Sequence, residues 1–289
     1  MSDKSKTILI TGSSGMIGSA AVEGFLNAGY RVIGIDIKDC GKSAENYRHY
    51  TVDLGDSCAV ESIIKENCID RVIHLAGLAH SVDGKEYTWD DYKHLNVDCS
   101  VNVLEASKNI PVLFISTVDV YGFTDSPVTP ETKANPVSYY AKSKLMAENE
   151  CIKHPCHSIF RFSPVYTDDI KRDIQKRYYL RCPSVAYRIG KGTEYEILNI
   201  KNAVRAMVEW CAENPCNDIR IIKDPVRMNT ADYIKAEKNE GRANFVLYLP
   251  EWVVKAGYKL LRAVTGENKY TYLLNKAVCP LRSEDKQDG

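Results

Sequence analysis

The stretch SYYAKSK, residues 138–144, sets two tyrosines beside two lysines. On a helix, Tyr139 with Lys142 (three apart) and Tyr140 with Lys144 (four apart) would each share a face. A phenol with an unperturbed pKa of about 10 is a poor base at neutral pH, and a nearby ammonium favours its charged form. Either pair has the elements of a proton-transfer site, and spacing alone does not choose between them.

Upstream, ILITGSSGMIG places Gly12, Gly15 and Gly18 where an apolar strand meets an amphipathic stretch. Glycines there permit a sharp turn and a close approach of backbone to a pyrophosphate, and the helix N-terminus behind them supplies free N–H groups, here from Met16 and Ile17 onward. Asp36 ends the next apolar run, RVIGID, eighteen residues past Gly18. A carboxylate at that point accepts hydrogen bonds from an adenosine ribose and repels a 2′-phosphate, which favours NAD over NADP. Asp53, followed by Leu54, ends a further strand where a carboxylate would meet the adenine amino group.

These residues need a scaffold that brings strand ends together. Apolar runs at 7–10, 31–35, 49–52, 71–76, 112–116 and 157–162 alternate with amphipathic stretches at 16–28, 58–67, 91–108 and 138–153. That rhythm predicts an α/β fold, a Rossmann-type doubly wound parallel sheet with a small C-terminal substrate-binding lobe. The expected NAD-binding domain covers 1–162, with residues 195–222 read as a strand and helix returning to its sheet. Residues 163–194 and 223–289 form the expected lobe. In it, LPEWVVKAGYKLLRAV (249–264) reads as an amphipathic helix packed inside the lobe in preference to one lying on a membrane, and the polar tail 282–289 reads as disordered.

Composition narrows the function. The 289 residues balance 38 basic against 38 acidic side chains, so no basic field exists to recruit nucleic acid or an anionic membrane. The N-terminus has neither a signal peptide's apolar core nor a membrane span, and a cytoplasmic protein is expected. The ten cysteines include no CxxC pair, and Pro155 breaks the segment in which His154, Cys156 and His157 would align, so no metal is expected.

The spacing TGxxGxxG, together with HLAG (74–77), NVDCSVNVLEAS (96–107), FISTVDVYG (114–122) and YYAKSK (139–144) in that order, resembles the extended branch of the short-chain dehydrogenase/reductase superfamily, the NAD-dependent epimerase/dehydratase family. The resemblance covers about the first 165 residues. It implies that the catalytic pair is Tyr140 and Lys144, with Thr117 donating to the substrate oxygen and Lys144 holding the nicotinamide ribose. It adds Leu75, Ala76, Gly77 and Asn96 to the cofactor contacts, and implies a homodimer built through the helices near 91–108 and 138–153.

The implied activity is nucleotide-sugar 4-epimerisation through a transient keto-sugar, on a UDP-hexose or UDP-N-acetylhexosamine in surface-polysaccharide synthesis. The alternatives are a 4-reductase, a dehydratase, or a non-catalytic NAD-binding sensor or assembly subunit. Dehydratases of the family carry Asp-Glu after the catalytic Thr, where this chain has Val118 and Asp119. Candidate substrate contacts are His80, Thr117, Ser163 (in Ser-Pro-Val where relatives often have Asn-Pro-Val) and one of Arg177, Arg181 and Arg188 for the diphosphate.

Overall fold

A computed structural model describes residues 6–39, 41, 44–79, 86–124, 126–167, 172–180, 185–213 and 217–284. The chain divides into two compact units. The first contains residues 1–120, 139–162 and 200–222, and the second 121–138, 163–199 and 223–289.

The first unit is built on a seven-stranded parallel sheet. Its strands β1 (Thr7–Thr11), β2 (Arg31–Asp36), β3 (Tyr47–Thr51), β4 (Arg71–His74), β5 (Val112–Thr117) and β6 (His157–Phe162) match the six apolar runs. The order is β6-β5-β4-β1-β2-β3, with Asp218–Ile222 added outside β6. Because helices cover both faces, β1, β5 and β6 are buried along their whole length; β1 and β5 are mostly apolar, while β6 carries His157, Ser158 and Arg161 into the buried layer. The order reverses between β1 and β4, the point where doubly wound sheets open a crevice for ligands.

Helix α1 (Met16–Asn27) buries Gly18, Ala21, Val22 and Phe25, a stripe of three- and four-residue steps. It packs against the helix Ile200–Ala212 so closely that a Cβ on Gly24 would collide with the Val204 side chain. Helix α2 (Ser57–Glu66) starts at Asp56, whose carboxylate accepts from Ala59 N at 3.0 Å. Helix α5 (Tyr139–Cys151) buries Lys144 and Glu148 beside Ala141, Ser143, Ala147 and Cys151. Two charged groups in a buried stripe mark this helix as more than packing.

Three expectations are corrected. The helix expected over 91–108 is α3 (Trp89–Lys93), a π-helical turn (His94–Asp98) and α4 (Cys99–Ala106). The wide turn lets Asn96 reach both backbone groups of Leu78 and the Ser143 hydroxyl. The expected returning strand near 195–199 forms instead two short strands of the second unit, Glu194–Tyr195 and Leu198–Asn199. The main sheet is extended by Asp218–Ile222, whose apolar run follows the helix and pairs in register with β6.

In the second unit, Val185–Ile189 pairs in parallel with Phe245–Leu249 over a core of Tyr178, Tyr195, Met228 and Ile234. The helix Glu251–Thr265 is the third correction. It fully buries only Tyr258, and it leaves Trp252, Leu260 and Val264 exposed. Its inward side is organised by polar contacts, since the Tyr258 hydroxyl accepts from Asn275 Nδ2 at 3.0 Å and Arg262 Nη1 at 3.3 Å. The start of the tail is also ordered: Ser283 donates through its N–H and hydroxyl to buried Glu196. No helix among the described residues is long and apolar enough to cross a membrane.

Candidate active site

The glycine turn sits between β1 and α1. Gly12 has φ +70, and a Cβ there would lie 2.8 Å from the Ala76 backbone; a Cβ on Gly18 would collide with the Gly12 carbonyl. Only glycine fits either position. Gly15 caps α1 without any side-chain bond, and the first-turn N–H groups stand at Met16, Ile17 and Gly18. These are the features a pyrophosphate needs.

Asp36 braces this turn. Its Oδ2 accepts from Ser14 N and its Oδ1 from Lys38 N, both at 3.0 Å, and each carboxylate oxygen retains capacity for a ribose hydroxyl. Asp53 is exposed and accepts from Gly55 N at 2.8 Å, while Leu54 beside it is buried. Leu75 and Ala76 are half-buried and Gly77 exposed just past β4, next to the glycine turn. The residues present therefore fit a dinucleotide.

Asn96 is held by three hydrogen bonds within the protein. It is 1 % exposed, its Oδ1 accepts from Leu78 N at 2.6 Å, and its Nδ2 donates to Leu78 O at 3.0 Å and Ser143 Oγ at 2.8 Å. Both amide hydrogens are committed to protein, so Asn96 ties the segment after β4 to α5, and its Oδ1 keeps capacity for one further hydrogen bond.

Thr117, Tyr140 and Lys144 converge from the end of β5 and the first turns of α5. Thr117 accepts from Asp119 N at 3.2 Å and its hydroxyl hydrogen-bonds Tyr140. Burial, reinforced by the Asp119 carboxylate, pushes the Tyr140 phenol well above its ordinary value, against the pull of the Thr117 bond. The net effect of the surroundings is to favour the protonated phenol. Lys144 is 4 % exposed, its Nζ stands 4.1 Å above the Phe114 ring, and burial lowers it to about 8 against the opposing charge of Glu148. Tyr139 is 52 % exposed and stacks on Trp89, which leaves Tyr140 as the tyrosine of the site.

A second network, which sequence reasoning missed, backs this site. His74 is fully buried, with Nδ1 2.6 Å from Thr11 Oγ1 and Nε2 2.8 Å from Ser100 Oγ; Ser100 donates on to Asn96 O. Burial, then the Lys144 charge, lower His74 to about 3. An unfolded chain binds a proton here below about 6.5 that the folded chain refuses. The stability from the neutral ring is therefore complete above that value and is lost as pH falls towards 3, at up to about 1.4 kcal/mol per pH unit. Melting temperatures measured from pH 7 to 4 should fall, and His74→Asn should melt lower at pH 7 but with a flatter slope. An unchanged slope in that variant would remove His74 as the cause.

Ser163 and the two described arginines lie in the second unit. Ser163 is 1 % exposed, and its hydroxyl has no partner among the described residues. Arg177 stacks over Tyr195 at 4.4 Å and Arg188 over Tyr248 at 4.6 Å. His80 and Arg181 lie outside the described residues. His154 Nε2 is bonded to Ser107 O at 3.0 Å and His157 Nδ1 to His154 O at 2.8 Å, so backbone takes up both rings.

A glycine turn at the switch point of a parallel sheet, with half-buried Tyr140 between buried Thr117 and Lys144 beside it, defines a dinucleotide-binding α/β protein equipped for proton transfer. The chain belongs to the NAD dependent epimerase/dehydratase family, whose profile matches residues 8–164. It is similar to UDP-glucose 4-epimerase 2 of Oryza sativa subsp. japonica, 32% identical in a 179-residue alignment that covers 55% of this chain and 42% of the relative. It is 33% identical to the UDP-glucose 4-epimerase of Bacillus subtilis (strain 168), over 49% of this chain and 45% of the relative. The chain thus spans less than half the length of these relatives. Among solved structures, a Bacillus cereus UDP-glucuronic acid 4-epimerase in complex with NAD superposes with TM-score 0.68 at 23% identity, covering 84% of this chain and 88% of the other. The Bordetella bronchiseptica enzyme WbmH in complex with NAD+ superposes with TM-score 0.69 at 21% identity, covering 84% and 85%. At these identities the structural likeness establishes the fold alone.

Proposed function

We propose that this protein is an NAD-dependent nucleotide-sugar 4-epimerase acting on a UDP-hexose or UDP-N-acetylhexosamine through a transient 4-keto sugar. The observation that carries this reading is the hydrogen-bonded Thr117–Tyr140 pair with buried Lys144 one turn along α5, beside the glycine turn. Thr117 positions the C4 oxygen, and Tyr140 removes its proton and later returns it. Lys144 and the α1 N-terminus hold NAD, Asp36 its adenosine ribose and Asp53 its adenine. Bound NAD supplies reversible hydride acceptance.

The second unit is the substrate lobe in this reading, with Ser163 and Arg177 or Arg188 meeting the nucleotide-sugar. The protein acts in the cytoplasm, in surface-polysaccharide synthesis, as a homodimer paired through α4 and α5; exposed Tyr139 and Met146 on α5 support such a contact. Val118, apolar and 4 % exposed where the dehydratase acid would stand, weighs against loss of water. The test is incubation with UDP-glucose or UDP-N-acetylglucosamine and NAD⁺, followed by proton NMR and NADH absorbance. Inversion at C4 with no net NADH is the expected result. Stoichiometric NADH change or a dehydrated product would replace the reading with that of a reductase or a dehydratase.

A further inference from the structure

The third strand brings a histidine to the glycine turn. β3 pairs in parallel with β2, and His49 stands level with Gly34, two residues before Asp36. Gly34 leaves the space over β2 open for Ser13 and Tyr47, since a Cβ there would collide with the hydroxyl oxygens of both. Ser13 is fully buried in this group. The His49 ring joins it, with Nδ1 3.1 Å from the Tyr47 hydroxyl and 3.3 Å from Ser13 Oγ. Its other nitrogen, Nε2, lies 3.0 Å from Lys38 O.

A carbonyl oxygen only accepts, so the Lys38 bond requires a proton on Nε2. In the neutral ring Nδ1 is then the acceptor for a hydroxyl. Lys38 O accepts a second bond, from Ser14 Oγ at 2.9 Å. The Lys38 N–H donates to Asp36 Oδ1, and Ser14 N donates to Asp36 Oδ2. Residues 36–38 are thus stitched to the glycine turn at both ends of Lys38, the N–H through the Asp36 carboxylate and the carbonyl through His49 and Ser14. Two backbone N–H groups set the plane of that carboxylate, and one of them belongs to the residue that His49 holds. Lys38 is exposed, so water competes for its carbonyl as soon as the ring is withdrawn.

We infer that His49 is a positioning residue for cofactor choice. By holding the Lys38 carbonyl it keeps the Lys38 N–H on Asp36, and so fixes the carboxylate where it accepts from a ribose 2′-hydroxyl and repels a 2′-phosphate. The inference rests on the reading of Asp36 as the contact to the adenosine ribose. Selection in this chain then depends on more than the acid at the end of β2. A carboxylate able to turn away, beside the exposed Lys38 ammonium, meets a 2′-phosphate with less repulsion. His49 lies outside the glycine turn and outside the other motifs that mark the family in this chain.

The test uses two substitutions that divide the ring. His49→Asn keeps a polar group near the place of Nδ1 but does not reach Lys38 O, whereas His49→Gln returns a donor near the place of Nε2. Affinities for NAD⁺ and NADP⁺ are measured by isothermal titration on the wild type and both variants. In His49→Asn the preference for NAD⁺ over NADP⁺ should fall about fivefold, the worth of one ordinary hydrogen bond, and His49→Gln should restore most of it. A loss of both dinucleotides at an unchanged ratio is the mark of a merely structural histidine and overturns the inference. A second readout needs no cofactor: hydrogen exchange at the Lys38 amide, followed by NMR, should quicken in His49→Asn and return towards the wild-type rate in His49→Gln. An unchanged rate in folded His49→Asn also overturns the inference. A wild type that binds neither dinucleotide defeats the cofactor reading itself, and the Lys38 amide still decides whether His49 holds the segment.

Discussion

Replacing Tyr140 by Phe is expected to abolish most turnover while leaving the cofactor bound. The variant keeps the ring that fills the site and removes only the hydroxyl that Thr117 holds and that exchanges the proton. Positioned acid-base groups contribute on the order of 10²- to 10⁴-fold in rate, so the loss should fall in that range. Retention of NAD, read by isothermal titration or by cofactor copurifying with the protein, separates loss of chemistry from loss of fold. The free protein gives this prediction its edge. Burial and Asp119 favour the protonated phenol, and positive charge brought close by a ligand would favour the base. A Tyr140→Phe variant with full turnover would leave the protein as a dinucleotide-binding sensor or subunit.

The second large effect is expected at Gly12. Alanine there must adopt φ +70, which costs an L-residue roughly 1–2 kcal/mol, and its methyl would also press on the Ala76 backbone at 2.8 Å. Neither backbone has a flexible end that can yield. The turn must open, moving the start of α1 and the ligand-facing N–H groups together. Gly12→Ala should lower the melting temperature by several degrees, at about 2–4 °C per kcal/mol for a unit of this size. It should also weaken NAD by about tenfold or more, since about 1.4 kcal/mol of misplacement is one decade in affinity. An alanine variant that melts and binds like the parent would mean that the turn is not held as described.

Much of this arrangement was legible in residue order. The first six strands follow six apolar runs because a sheet covered on both faces demands them, and the glycine turn announces itself through spacing that only a strand-turn-helix can use. Choosing Tyr140 over Tyr139 needed the family pattern; burial then gave the physical reason, one ring being packed and the other exposed. The seventh strand escaped because DIRII carries an arginine in the middle of a five-residue run, and the more apolar YEILNI stood nearby. The π turn at 94–98 escaped because its cause is Asn96 reaching Leu78 and Ser143, contacts that no local periodicity encodes.

The electrostatics were the least legible. Whether Lys144 lowers Tyr140 depends on where Asp119 and the Phe114 ring lie, and those distances exist only in the fold.

The most direct measurement of the central claim is the fate of hydrogen at C4. UDP-glucose carrying deuterium at C4 would be incubated with the purified protein and NAD⁺, with no external reductant, and the products read by proton and deuterium NMR. A site in which Tyr140 moves only the hydroxyl proton and the carbon-bound hydrogen returns from recycled NAD predicts an inverted product with its deuterium still at C4. Inverted product with C4 hydrogen drawn from solvent, or deuterium lost into free reduced cofactor without inversion, would contradict the account.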